Sequence, residues 1–346
     1  MARTESGTNA GASTGAAVPG VSDTSGTAAP AGSAAPVSPG AAGPPVRRRG
    51  LRKRIELVVL LTPALVLFIG FVVVPMIFAA WYSLYNWNGF GPLTDFIGLQ
   101  NYGGVLTGPV FRQAIEHNVI IAALSVVIQL PLSIGLALLL NRRMRGQSVL
   151  RLAVFTPYVL SEATTAVMWL LLLEPDGPAD ALLKSVGLGG LVHYWLASTS
   201  LVLFTLFVVI TWKYIGFGIV LLLAGLQGIP AELREAAAID GATPWQVTRR
   251  VTLPLLGPTI RVWIFLSVIG SLQLFDIVWI MTEGGPANAS TTMLTYLYDN
   301  GVVRNQFGYG ATVAVVLFII SFVFALIYQR FALRRDTAGA VTRAVQ

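Results

Sequence analysis

The sequence predicts an all-α membrane protein that crosses the bilayer six times. Three observations carry that prediction. The 346 residues are 55% hydrophobic and only 11% charged, against about 25% charged in a soluble domain. Six apolar runs of 18–27 residues recur along the chain, and each suits a hydrocarbon core about 30 Å thick at about 1.5 Å per helical residue. Basic residues gather in alternate loops. Backbone groups left unsatisfied in lipid are costly, so helix is the form these runs take.

The elements follow in chain order. Residues 1–46 are Ala, Gly, Ser, Thr and Pro almost throughout. That composition buries no core and predicts a disordered tail. A basic stretch, Arg47–Arg54, opens a six-span domain expected over residues 47–335, with a short C-terminal tail at 336–346. Leu57–Ala80 carries no charge and exceeds the roughly 7–15 apolar residues of a signal peptide, so it reads as the first span. Five more are expected at Val119–Leu140, Leu152–Leu173, Leu201–Leu226, Leu255–Met281 and Ala311–Tyr328. Pro63, Pro75, Pro131 and Gly135 fall inside the first two as potential kinks, for packing or for gating.

Orientation follows from the loops. Arg47, Arg48, Arg49, Arg52, Lys53 and Arg54 precede span 1, and Arg142, Arg143, Arg145 and Arg151 lie between spans 2 and 3. Arg234, Arg249 and Arg250 lie between spans 4 and 5, and Arg330, Arg334 and Arg335 follow span 6. The opposite loops hold one basic residue each: Arg112, Lys184 and Arg304. Both termini and the loop after span 4 are therefore expected in the cytoplasm. The same clustering accounts for the net charge of +7, which in a soluble protein would suggest nucleic acid and here predicts none. With no cysteine and only His117 and His193, no disulfide or metal site is expected.

One polar stretch stands between two apolar runs: "REAAAIDGATPWQVTRRVTLPLLGP", Arg234–Pro258. Pro230 suits a first helical turn, and "AELREAAAID" is strongly helix-forming. Gly241 supplies the stop. Thr243, Pro244 and Gln246 then read as N-cap, N1 and the far end of a capping box. A second short helix is expected from Pro244 to about Val251, ending before Pro254. Such a hairpin either rests on lipid headgroups or fits a groove on a partner, and Ala236, Ala237 and Ala238 permit close approach.

Here the residues resemble the EAA loop of ATP-binding-cassette importer permeases. The matching positions are Glu235, Ala236, Ala237, Gly241, Leu253 and Pro254, with Val251 where that family more often has Ile. The likeness runs from about Leu57 to Phe331. It includes "IGLQNYGGVL", "FTPYVLSEATTAVMWLLLLEPDGPADALLKSVGL" and "QLFDIVWIMTEGGPANASTTMLTYLYDNGV". These are similar to the carbohydrate-import branch, and most to its maltose-type first permease. The resemblance implies a type I importer permease fold, with a cytoplasmic coupling loop at about 227–254 that docks into a separate ATPase. Glu235, Ala236, Ala237, Asp240, Gly241, Leu253 and Pro254 would make that coupling. It implies a second related permease, two ATPase subunits and an extracytoplasmic solute-binding protein, in a bacterial plasma membrane. The chain has no G-x-x-x-x-G-K-[ST] stretch, so no catalytic residue or cofactor is expected in it, and ATP and Mg²⁺ would serve the partner ATPase.

Ionisable groups inside spans are costly and mark function by default; here they are Glu162, Lys213, Arg261 and Asp276. "TWKYIGFG", Thr211–Gly218, places Lys213 and Phe217 on one helix face beside Tyr214. Aromatic faces suit the C–H face of a sugar ring. The resemblance adds Ser271 and Leu274 from "SLQLFDIVW", and Gln273 and Asp276 there are equipped to bind hydroxyls. Packing alone would explain the same residues. Two rival classes remain: an ion-coupled transporter with Glu162, Lys213 and Asp276 as a proton relay, and a membrane scaffold.

Overall fold

The computed structural model describes residues 48–142 and 144–333. The predicted tails at 1–46 and 336–346 lie outside them, as do Arg47, Arg143, Arg334 and Arg335. The chain divides between Leu60 and Leu61. The described residues of the first unit are the opening turns of α1 (Arg48–Phe68), and the second unit holds everything else described.

The second unit is helical, with one isolated bridge between Tyr85 and Phe96. A π-helical turn, Ile69–Val73, leads into α2 (Val74–Tyr82). After a loop come α3 (Gln100–Thr107) and α4 (Pro109–Leu124), then a second π turn, Ser125–Gln129, and α5 (Leu130–Leu140). Next are α6 (Gln147–Val159), α7 (Glu162–Leu172) and the short α8 (Pro178–Ser185). The long α9 (Val202–Gln227) leads to α10 (Ala231–Ile239) and α11 (Pro244–Val247). A third π turn, Thr248–Thr252, joins α11 to α12 (Leu253–Leu255) and then α13 (Gly257–Leu272). The chain continues through α14 (Asp276–Thr282), α15 (Met293–Tyr298) and α16 (Phe307–Tyr328).

Among the described residues four helices are long and apolar enough to span: Glu56–Tyr82, Pro109–Leu140, Val202–Gln227 and Phe307–Ala332. Two bent pairs complete six, α6 with α7 at 100° and Pro244–Leu255 with α13 at 64°. Two expected spans are therefore corrected. Leu152–Leu173 is not one rod: Leu160 and Ser161 are extended (ψ 148° and 154°), and Ser161 caps α7 by accepting from the Thr164 amide at 3.0 Å. Leu255–Met281 stops at Leu272, since Gln273–Phe275 leave helical geometry and Asp276 begins a separate helix.

Of the five π turns among the described residues, these three share one cause, which the other two, Asp299–Val303 and Gln329–Leu333, do not. Val74, Leu130 and Leu253 each donate their amide five residues back, to Ile69, Ser125 and Thr248. A proline follows each: Pro75, Pro131 and Pro254. Proline clashes with the carbonyl four residues earlier in a regular helix, and a one-residue widening just before it opens that turn. Pro254 therefore does not end the hairpin's second helix, contrary to expectation; the helix passes through it.

Helix α9 is the hub of the second unit. It packs on α4, α5, α6, α13 and α14, with Val202, Leu206, Val209, Ile219 and Leu222 at 2% exposure or less. Gly216 lets it meet α6: a Cβ there would strike the Val154 carbonyl and the Phe155 Cα. A second pairing joins α7 to α14, and α16 packs on α2, α3 and α15.

In the loop after α7, Lys184 bonds Asp176 at 2.7 Å in full exposure and holds that carboxyl below its usual range. Asp180 is buried there. It is satisfied by the Trp195 indole (3.0 Å) and the Asp176 amide (3.1 Å).

Candidate functional site

Two regions matter. The first is a cavity of about 300 Å³ lined by α4 with its π turn, α6, α7, α9, α13 and the non-helical exit from α13. Of the sequence-predicted binding residues, Tyr214, Phe217, Ser271, Gln273 and Leu274 line it. Lys213 and Asp276 do not. Five residues that sequence reasoning missed complete the polar and aromatic lining: Ser125, Gln129, Tyr158, Trp263 and Ser267. Glu162, one of the in-span charges that the sequence marks for function, lines it as well.

Ser125 and Gln129 sit four residues apart in the second π turn and are 2% and 4% exposed. Neither side chain has a hydrogen-bond partner among the described residues, and both face the cavity. Buried polar groups are normally bonded; these two meet the space of the cavity instead of a protein partner. In the same lining Tyr158 and Phe217 stack, with ring centroids 5.2 Å apart and planes 26° apart. Ser271 donates to the Ser267 carbonyl at 2.9 Å, which leaves its lone pairs for the cavity. The available signal was the polar pair at i, i+4 inside an apolar run, just ahead of Pro131.

The charged residues are arranged around the break in span 3. Lys213 is 3% exposed, and its ammonium donates to the Leu160 carbonyl at 2.6 Å. That carbonyl is orphaned by the 100° bend, so the lysine supplies what the helix lost. Its Nζ also lies 5.5 Å from the Tyr214 ring centre. Tyr214 donates its hydroxyl to Glu162, the first residue of α7. Asp276, the first residue of α14, faces Glu162. Each carboxylate thus sits at a helix N-terminus, where the helix dipole favours negative charge.

The exit from α13 is satisfied the same way. Asn118 donates to the Ser271 carbonyl and accepts from the Met293 amide at 2.9 Å. Thr292 donates to the Leu274 carbonyl at 2.9 Å. His117 is likewise structural, 2.8 Å from the Thr291 carbonyl.

The second region is the hairpin of α10 and α11. Gly241 has φ +80°. Its amide bonds the Ala238 carbonyl at 3.1 Å, and the Ala242 amide bonds Ala237 at 3.0 Å. Those two bonds are the Schellman closure of α10. The capping box forms as expected: the Thr243 amide reaches Gln246 Oε1 at 2.8 Å, and the Gln246 amide reaches Thr243 Oγ1 at 3.4 Å. Glu235, Ala236, Asp240, Gly241 and Pro254 are exposed, and Ala237 and Leu253 are half-buried. Two large apolar side chains flank the turn, Ile239 at 86% and Trp245 at 68% exposure. A hairpin that rigid and that bare is built to be covered.

A membrane helix bundle with a cavity among its helices and a capped hairpin between two of them is the architecture of an importer permease. The chain belongs to the family described as binding-protein-dependent transport system inner membrane component, whose model matches residues 129–337. It is a transport subunit and not an enzyme, and the ion-coupled alternative falls away.

Similar proteins include the trehalose/maltose transport system permease MalF of Thermococcus litoralis, 33% identical over 80% of this chain and 94% of that protein. The sulfoquinovosyl glycerol transport system permease SmoG of Agrobacterium fabrum is 34% identical over 83% of this chain and 93% of it. A crystal structure of a bacterial ABC transporter involved in import of the acidic polysaccharide alginate shares the fold. Its TM-score is 0.73 at 23% identity, covering 83% of this chain and 98% of the other.

Proposed function

We propose that this chain forms half of the path through an ATP-driven sugar importer. The carrying observation is the cavity, whose lining brings buried Ser125 and Gln129 together with the Tyr158–Phe217 stack. Polar groups and aromatic rings around one space suit a pyranose, which is polar at its rim and apolar on its C–H faces. Tyr214, Ser271, Gln273 and Leu274 extend the same surface. Relatives whose names specify trehalose/maltose and sulfoquinovosyl glycerol support a carbohydrate cargo.

Lys213 and Asp276 act behind this surface, holding the helix breaks that shape it. The partners are a second related permease, two ATPase subunits that use ATP and Mg²⁺, and an extracytoplasmic solute-binding protein. Both termini and the hairpin lie on the cytoplasmic side. Closure of the ATPases moves the hairpin through Glu235, Ala236, Ala237, Asp240, Gly241, Leu253 and Pro254. Because α11 continues through Pro254 toward α13, that motion reaches the cavity wall at Trp263 and Ser267 and switches the side from which the cavity opens.

The test is a mild-detergent pulldown of the tagged chain, with partners identified by mass spectrometry. Co-purification of another six-span permease and an ATPase is expected. Recovery of the chain alone, active in proton-driven uptake, would sink the proposal.

A further inference from the structure

The cavity also carries information about charge. Among its lining residues there is no Lys, Arg or His, and one carboxylate, Glu162. Lys213, next to the lining residue Tyr214, is buried with its ammonium turned onto the Leu160 carbonyl. A second carboxylate, Asp276, faces Glu162 from α14. Recognition of an acidic group uses Arg or Lys, commonly in bidentate geometry, and a buried anion without such a partner is strongly disfavoured. The remaining polar groups, serines, glutamines and tyrosines, are neutral.

From these observations we infer that the cavity takes saccharides without acid groups, and that Glu162 is the residue that excludes uronic acids and other anionic sugars. This inference rests on the carbohydrate reading of the cavity and adds the substrate's charge class. Glu162 suits a hydroxyl donor: its carboxyl is held by Tyr214 and Asp276, and a sugar hydroxyl entering the cavity meets acceptor oxygens there. A uronate carboxylate meets the Glu162–Asp276 pair with repulsion.

The assembled importer in lipid nanodiscs, without its binding protein, allows a test by isothermal titration. The probes are neutral gluco-, galacto- and manno-trisaccharides and their uronate counterparts. Wild type is expected to bind at least one neutral trisaccharide, and its uronate counterpart at least about tenfold more weakly, as one like-charge contact in a partly dry site requires. In Glu162→Gln the gap should narrow to about threefold or less. Should that variant fail to assemble, Ser267→Lys approaches from the other side, since a cation on the same wall should admit the uronate. Equal binding of a neutral sugar and its uronate in wild type overturns the charge selectivity alone. A gap unchanged in Glu162→Gln removes Glu162 from it. Binding of none of the saccharides defeats the carbohydrate reading, and this inference with it.

Discussion

The chain turns sharply in two places, and the two turns are held by opposite means. At Gly241 the hairpin is closed by residues within six positions: the Gly241 and Ala242 amides return to α10, and Thr243 and Gln246 cap one another. At Leu160–Ser161 the span breaks by 100°, and the orphaned carbonyl is met by Lys213, 53 residues away. The hairpin is exposed, and water could serve its loose ends. The broken span lies in a membrane-crossing stretch, with Leu160 half-buried against buried Lys213, and only the fold can serve it. Local motifs suffice where solvent is the fallback; inside a membrane bundle the partner must come from another helix.

Three substitutions test that contrast. The largest effect is expected at the buried turn. Lys213→Met keeps the stem's volume and removes the donor, leaving a buried carbonyl unsatisfied at about 1–3 kcal/mol. A clear drop in melting temperature of the purified complex should accompany lost uptake. An unchanged melting temperature would show that the break holds itself. Next is Gly241→Val. A β-branched residue at φ +80° is strained by roughly 1–2 kcal/mol, and that strain falls on the docking turn. Uptake should collapse while membrane abundance stays normal; normal uptake would dismiss the hairpin as the coupling element. The smallest is Thr243→Ala, worth about 1 kcal/mol as a lost N-cap. It should trim the transport rate modestly, and Thr243→Asn should restore it. A Thr243→Ala effect larger than that of Lys213→Met would invert the comparison.

The same contrast explains what could be read from the residues alone. Four of the six spans, the capped hairpin and its αL glycine follow from the length of apolar runs, loop charge and short motifs. So did the aromatic–polar surface at Tyr214, Phe217 and Ser271. The break in span 3 was also signalled locally, by Ser161 followed by Glu162, a helix start inside an apolar run. Continuous hydropathy overrode it. Lys213 was read as a cavity group because a charge in a span invites that reading; its true partner, a backbone carbonyl, has no sequence signature. Gln129 and Tyr158 were missed because nothing short of tertiary packing brings α4, α6 and α9 around one space.

The π turns ahead of Pro75, Pro131 and Pro254 have a consequence for how the spans are oriented about their own axes. Each inserts one residue, which swings everything beyond it by about 100°. A wheel drawn at constant pitch through Pro109–Leu140 therefore goes out of phase halfway. It assigns Leu130, Ser133 and Ala137, all buried, a bearing they do not have relative to Ile121. Cysteine-scanning labels along this span should show two angular patterns, one above Ser125 and one beyond Gln129. The offset between them would report the inserted residue directly.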